Sequence, residues 1–428
     1  MKVHLRMLGC RLNQSEIDTM ARQFEQQGHE IVHEAESADQ IIVNTCAVTR
    51  EASKSSRKLI RELHRSNESA EITVTGCYAQ ISPDNITVID GVKRVLGNAQ
   101  KDSLVSNITG QKVELFDIEP HARQERPGYG GNRTRAFIKV QDGCDNSCTF
   151  CVTTIARGAG QSRAANEILN EIKYLHANDY QEVVLTGVHL GSYGHDLGNR
   201  DGMVQLVERI LSETAIPRLR LSSLEPWDLS DGFFDLWQNE RLQPHLHLPL
   251  QSGCDATLKR MRRNTTQAEF RALMQAARTK IPSVRITSDV IVGFPGETDD
   301  EWAISKAFIQ EMAFDGLHVF RYSVRPDTPA AKMRGKVPNA IKKERSQQLL
   351  QWARQREEQF AQQFIGQQVP VLWESVIGSS EAGFVQAGYT HNYIRVQTTH
   401  PRILTNHITP AIFESAFNGS IEVSPVLE

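Results

Sequence analysis

The chain has 428 residues, 39% apolar and 23% charged, with 48 Lys and Arg against 51 Asp and Glu. That length exceeds one ordinary core and implies roughly two to four domains, while the composition excludes a disordered chain and the net charge of −3 excludes a wholly basic nucleic-acid binder. No apolar run approaches the roughly 18 residues of a membrane span, and Met1-Lys2-Val3-His4-Leu5-Arg6 enters a strand without a signal-peptide core, so a cytoplasmic protein is expected.

Residues 2–8 read as a strand, 13–27 as an amphipathic helix ended near Gly28, 40–45 as a strand and 51–66 as a helix. Residues 71–76 form a third strand, again followed by helical sequence. Strands alternating with helices imply a parallel sheet in an open α/β domain, assigned to residues 1–110. Residues 111–132 are assigned to a linker; the stretch 124–134, with Gly128-Tyr129-Gly130-Gly131, lacks periodicity. From Arg135 the rhythm resumes, with strands at 136–140, 182–186, 218–222, 245–249, 285–292 and 316–321. Six βα units are too few for an eight-stranded barrel and fit a partial, open (β/α)6 barrel over residues 133–363. A charged helix over about 340–364 follows, and then short alternating strands such as 369–373 and 393–396. These predict a small all-β barrel over residues 364–428, so the fold class is α/β with an all-β module at the C-terminal end.

Seven cysteines are an odd number for a disulfide framework, and six of them sit in patterned surroundings. Cys144, Cys148 and Cys151 share one loop directly after the first barrel strand. Three thiolates on a loop ligate three irons of a cubane cluster, which needs four ligands when wholly protein-bound, and leave the fourth iron open to a chelating ligand. A zinc loop is the alternative, but no nearby fourth Cys or paired His completes a tetrahedral site. Cys10, Cys46 and Cys77 each lie just past the C-terminal end of a predicted parallel strand, where open α/β sheets build their sites. Three thiols at one edge are positioned to hold a second cluster; small buried packing residues are the alternative. Cys254, in Gln251-Ser252-Gly253-Cys254, has no partner pattern and reads as packing.

The spacing Cys-x3-Cys-x2-Cys, with Phe150 before the last Cys, resembles the signature loop of radical S-adenosylmethionine (SAM) enzymes. Over the whole chain the sequence resembles the methylthiotransferases of that superfamily. The motifs are residues 8–16 (LGCRLNQSE), 44–48 (NTCAV), 75–80 (TGCYAQ), Ala156-Arg157-Gly158, 247–253 (HLPLQSG) and 289–298 (DVIVGFPGET). The resemblance implies an N-terminal three-cysteine domain, a central radical SAM domain and a C-terminal TRAM domain that binds RNA. It implies two [4Fe-4S] clusters, one on Cys144, Cys148 and Cys151 and one on Cys10, Cys46 and Cys77, with SAM as co-substrate. In the family one SAM methylates a sulfur on the second cluster, a second SAM yields a radical that takes hydrogen from the substrate carbon, and the methylthio group joins that carbon. An external electron donor is required, and the chain is expected to act as a monomer.

Family branches modify C2 of an N6-threonylcarbamoyl or an N6-isopentenyl adenosine beside the tRNA anticodon, or a ribosomal-protein aspartate. TGCYAQ, HLHLPLQSG with Lys259-Arg260-Met261-Arg262-Arg263, ITSDVIVGFPGE and Leu317-His318-Val319-Phe320 resemble the threonylcarbamoyl branch most. Val152-Thr153-Thr154-Ile155 departs from relatives, which carry a proline and an aromatic residue there.

Strand-end residues expected to cradle SAM are Thr186, Gly187, Glu225 and Gln251, with Ile291 and Phe320 against the adenine; strand capping or core packing is the other reading of each. His189 and His195, beside Gly191 and Gly194, are candidate substrate contacts or ordinary loop histidines. Basic runs at 57–65, 259–263 and 342–345 are candidates for RNA phosphates or solvated helix faces. Tyr389 and Tyr393, in residues 388–393, either stack on splayed bases of the anticodon loop or belong to the core. A base modified on its edge must leave its stack, so the mouth of the central domain is expected to be open.

Overall fold

The computed structural model describes residues 1–112, 134–230, 232–417 and 420–427. Most of the expected linker therefore lies outside the described residues. The first unit is a five-stranded parallel sheet of β1 (Lys2–Met7), β2 (Glu30–Ile31), β3 (Gln40–Thr45), β4 (Glu71–Gly76) and β5 (Val92–Val95), in the order β2-β1-β3-β4-β5. Helix α1 (Arg11–Gln26) covers one face, and α2 (Arg50–Ser66), α3 (Cys77–Ile81) and α4 (Asp84–Thr87) pack on the other. The helix α5 (Leu104–Thr109) ends at Gly110, whose left-handed φ of 71° closes it. β3 and β4 are buried on both faces, as a parallel strand between two helical layers must be.

The central unit runs β6 (Arg135–Lys139), the two-residue ribbon β7 (Gln141–Asp142) and β8 (Gln161–Ser162), then β9 (Glu182–Thr186), β10 (Arg218–Leu221), β11 (His245–His247), β12 (Arg285–Val292) and β13 (Leu317–Arg321). Two three-stranded parallel sheets, β10-β9-β6 and β11-β12-β13, meet through the bridges Leu219–Leu242 and Ser223–His247. The result is six strands in barrel order, with α7 (Ala165–Ala177), α8 (Gly202–Glu213), α9 (Asp255–Met261), α10 (Gln267–Lys280) and α11 (Asp299–Met312) outside them; the short α6 (Thr153–Arg157) belongs to the cysteine loop. The partial (β/α)6 barrel expected from six βα units is the one observed. The strand expected over 245–249 stops at His247, since Leu248 and Leu250 continue the pairing only through single bonds to Thr287 and Ser288.

Helix α12 (Asn339–Gln362) leads to a closed barrel of β14 (Gln368–Ser380), β15 (Gly383–Thr390), β16 (Arg395–His400), β17 (Ile408–Phe417) and β18 (Ser420–Pro425), ordered β14-β15-β16-β18-β17. Trp373 is fully buried at its centre, its indole N–H donating to Thr409 Oγ1 at 2.8 Å.

Candidate active site

β6 delivers the chain to the cysteine loop, and the β7–β8 ribbon closes that loop at its base. Gly143 has φ 70°, and a Cβ there would lie 1.8 Å from the Ala159 carbonyl oxygen, so only glycine fits. Cys144 N–H donates to Gly158 O at 3.0 Å, and Thr149 N–H donates to Met261 O at 3.0 Å while its carbonyl accepts from Ala330 at 2.9 Å. Amide N–H groups point at two sulfurs: Asn146 at Cys144 Sγ (3.4 Å) and Thr153 at Cys151 Sγ (3.3 Å). The Arg263 guanidinium lies 3.8 Å from Cys148 Sγ. Burial pushes the Cys148 thiol up to about 11, and that guanidinium opposes the rise.

At the second set, the parallel register aligns Met7 with Asn44, Asn44 with Thr75, and Thr45 with Gly76. Cys10, Cys46 and Cys77 follow directly on those three adjacent strands and so share one sheet edge. They are close enough for Cys77 and Cys10 to raise the Cys46 thiol, which burial first pushes up to about 11. A Cβ on Gly9 would come within 3.2 Å of Cys46 Sγ, so glycine lets this turn approach the thiol.

A buried ionic seam joins the elements that carry the two sets. Arg157, at the end of α6, donates to Glu16 on α1 (2.8 Å), to Asn13 Oδ1 (2.9 Å) and to Asp142 (2.9 Å). Lys101 closes on the other Glu16 oxygen at 2.7 Å. Burial alone would raise the Glu16 carboxyl, but Lys101, Arg157 and Lys139 together hold it well below the usual carboxylate range. Asn98 reaches both sides, donating to Ala156 O at 2.6 Å and approaching Cys77 Sγ at 4.0 Å.

Residues 2–97 match the family described as "Uncharacterized protein family UPF0004", and residues 138–309 match the radical SAM superfamily. The chain is 36% identical over 399 residues to the threonylcarbamoyladenosine tRNA methylthiotransferase MtaB of Bacillus subtilis, covering 91% of this chain and 88% of that one. The protein of the same name from Thermotoga maritima is also 36% identical, over 94% of this chain and 92% of its own length. The chain belongs to the radical SAM methylthiotransferases. A tRNA-2-methylthio-N(6)-dimethylallyladenosine synthase of Staphylococcus saprophyticus matches at 32% identity, over 97% of this chain and 83% of its own. In fold, the radical SAM methyltransferase TsrM of Kitasatospora setae superposes with a TM-score of 0.58 at 15% identity, over 77% and 75% of the two chains. As a radical SAM methylthiotransferase the protein uses a [4Fe-4S] cluster and SAM and transfers a methylthio group.

The residues expected around SAM make the following contacts in the methylthiotransferase. The Thr186 hydroxyl is spent on Ile138 O at 3.1 Å, tying β9 to β6, and Gly187 lets the Gln141 side chain pass at the same edge. Phe150 packs edge-on to Phe294 at 6.4 Å, beside Ile291, Tyr322 and Met261. Glu225 is paired with Arg263 at 2.5 Å, and Gln251 takes a left-handed φ of 71° to bridge Val290. Phe320 is 40% exposed on the edge strand β13. Arg263 was legible only as part of a basic run. It is buried, braced by Glu225, by Pro249 O at 2.6 Å and by the Trp227 ring at 4.4 Å. Its neighbour Arg260 pairs with Glu301, and Arg345 in the run 342–345 is buried against Glu297 and Asp299, so these two arginines are not free for phosphate, whereas Lys259, Arg262 and Lys343 are exposed.

His189 lies beside the loop: its ring pairs closely with Asp228 and meets Asn146. Burial opposes a charge on that ring, yet the bonds to Asp228 and Cys144 raise it to about 10. His195 sits half-buried on a short turn, away from these contacts.

Of the two readings of Tyr389 and Tyr393, the structure shows packing within the chain. Tyr389 and Tyr393 stack on each other at 4.8 Å, with Arg135 4.5 Å over Tyr389 and Arg220 4.6 Å over Tyr393. Arg218 donates to Tyr389 O and Pro370 O, and Arg220 to Thr390 O and His391 O. These arginines stand at the starts of β6 and β10, so the C-terminal barrel plugs the pole of the half barrel opposite the cysteine loop. Glu182, at the start of β9, neutralises the same arginines from inside.

Proposed function

We propose that the protein methylthiolates C2 of N6-threonylcarbamoyladenosine 3′ of the anticodon in tRNA, with two [4Fe-4S] clusters, SAM and an external electron donor, as a monomer. The observation that carries this reading is the second thiol set. Cys10, Cys46 and Cys77 share one strand edge, and Asn98 and Arg157 bind that edge to the loop of Cys144, Cys148 and Cys151. A radical generator alone has no use for a second three-thiol site. The names of the relatives from Bacillus subtilis and Thermotoga maritima support the choice of substrate.

Both sites suit iron–sulfur ligation: each offers three thiols, and the loop sulfurs receive amide N–H groups of the kind that stabilise thiolate ligands. Together the clusters and SAM supply a one-electron carbon-radical reaction and the sulfur to be inserted. Residues 1–110 then hold the sulfur-donating centre, residues 133–363 the radical-generating one and residues 364–428 the TRAM module. Arg263 is aimed at the open side of the loop, where a fixed fork suits the SAM carboxylate, and Glu225 takes the amino group. Gln251, by its turned backbone, reaches the ribose, and Ile291 and Phe320 flank the adenine. The Glu16–Arg157–Asp142 seam fixes the elements of the two sites against each other.

The test is anaerobic reconstitution followed by mass spectrometry of nucleosides. About eight irons per chain, SAM-dependent 5′-deoxyadenosine and conversion of threonylcarbamoyladenosine to its 2-methylthio form are expected. Bound zinc with no SAM cleavage sinks the reading, and conversion of isopentenyladenosine instead would move the chain to the other tRNA branch.

A further inference from the structure

The closed barrel at the C-terminal end, where the family resemblance puts RNA binding, is a poor polyanion site in this chain. Residues 364–428 hold five acidic side chains against Arg395 and Arg402. Its paired tyrosines are spent on the arginines at the floor of the half barrel. Positive charge is concentrated elsewhere. Helix α2 carries six Arg and Lys against two Glu, and the strap over 322–338, between β13 and α12, carries four against Asp327 alone. On α2, Lys54, Arg61 and Arg65 are exposed, as are Lys332, Arg334 and Lys336 on the strap, and among the described residues none of these six pairs with a carboxylate.

Both segments border the cysteine sets. α2 starts four residues after Cys46, and the Ser56 hydroxyl donates to Cys46 O at 3.3 Å. The strap is pinned over the other loop, Ala330 N–H donating to Thr149 O at 2.9 Å, and to the barrel rim where Gly296 N–H donates to Gly335 O at 2.8 Å. The two segments touch: Arg325 of the strap donates to Ser53 of α2 at 3.2 Å. Backbone and buried side chains fix the track, while its unpaired cations stand in solvent, which is the arrangement that gains from releasing counterions of a phosphate backbone.

We propose that α2 and the strap over 322–338 form one continuous phosphate-binding track that seats the RNA strand over the mouth between the two cysteine sets, and that the C-terminal barrel is not the electrostatic docking surface. The inference rests on the tRNA reading and deepens it. Three forms of the full chain are reconstituted and titrated with an anticodon stem-loop RNA bearing threonylcarbamoyladenosine, from low to high KCl. They are K54Q/R61Q/R65Q, K332Q/R334Q/K336Q and R395Q/R402Q, with iron content and melting temperature checked for each. Each triple variant is expected to lower the slope of log Kd against log [KCl] by about 2, at roughly 0.7–0.9 per phosphate contact, and R395Q/R402Q to leave it unchanged. An unchanged slope in both triple variants, or a lowered one in R395Q/R402Q alone, overturns the track. So does a wild-type slope accompanied by lost reduction from an acidic electron-donor protein, which would assign the cations to that partner instead. If the wild-type chain modifies the RNA while the triple variants keep its slope, only the track fails; if wild type neither binds nor modifies it, the function reading falls as well.

Discussion

The Arg157 guanidinium and the Glu16 carboxylate meet at 2.8 Å, joining the helix that follows the radical SAM loop to the helix that follows Cys10. Both side chains are only 2% exposed, and Lys101, 3% exposed, depends on the same carboxylate. Glu16→Gln therefore leaves Lys101 buried without a counter-charge. Breaking such a pair from one side costs about 3–5 kcal/mol. The expected outcome is faster hydrogen exchange in α1 and α6, with iron lost from the N-terminal site first. Wild-type exchange at both helices would show that the seam is not what holds the two sites together.

The two thiol sets predict separable losses. Cys148→Ala is expected to abolish 5′-deoxyadenosine formation. Cys46→Ala is expected to retain some SAM cleavage with no methylthiolated product, at about four irons per chain. Loss of all cleavage in Cys46→Ala with the loop cluster intact contradicts this division.

Gly143→Ala tests the loop without touching a sulfur. Its φ of 70° and the 1.8 Å approach to Ala159 O force the loop base open. Iron content is expected to fall by about half, and SAM cleavage with it. Normal loading would mean that the ribbon of β7 and β8 does not shape the site.

Arg263→Lys keeps the charge but loses the planar fork that spans Glu225, Pro249 O and the Trp227 face. SAM is expected to bind at least about 30-fold more weakly, the equivalent of about 2 kcal/mol. Equilibrium dialysis of the reconstituted protein measures it, and unchanged affinity removes Arg263 from the SAM site.

The plug at the floor of the half barrel should be acid-sensitive. Burial, aided by Arg218 and Arg220, lowers His391 from its ordinary 6.5 to about 4, and burial among arginines also holds His245 well down. Between about pH 4 and 6.5 the unfolded chain takes up protons that the folded chain refuses, so stability rises with pH across that window and levels above it. His391→Gln is expected to flatten the rise in melting temperature, whereas an equal slope in the variant would assign it to other groups.

Most of this architecture was legible in the order of residues. The strands over 40–45, 71–76, 182–186 and 285–292 appear with the bounds expected, because buried parallel strands are short apolar runs ended by turn residues. Val92–Val95 was not, since Lys93 and Arg94 interrupt its apolar pattern on the sheet edge. The six patterned cysteines announced themselves through spacing and strand ends. Arg263, Glu16 and Lys101 did not. A buried ion pair leaves no local periodicity, and the partners of Arg157 stand 141 and 15 residues away. The two tyrosines stayed undecided for a related reason: an aromatic in a small barrel looks the same in sequence whether it meets a nucleobase or an arginine of the same chain.

Asn98, held by Ala156 O on one side and lying against Cys77 on the other, makes the gap between the two centres a fixed ruler. Among the described residues that span is closed by side-chain contacts, so the two centres are held at a set separation. The nucleotide has to do the travelling. Reach, rather than affinity alone, then selects the substrate: an adenosine that swings out far enough to lie between both thiol sets is modified, and one held stiffly in its helix is bound and passed over.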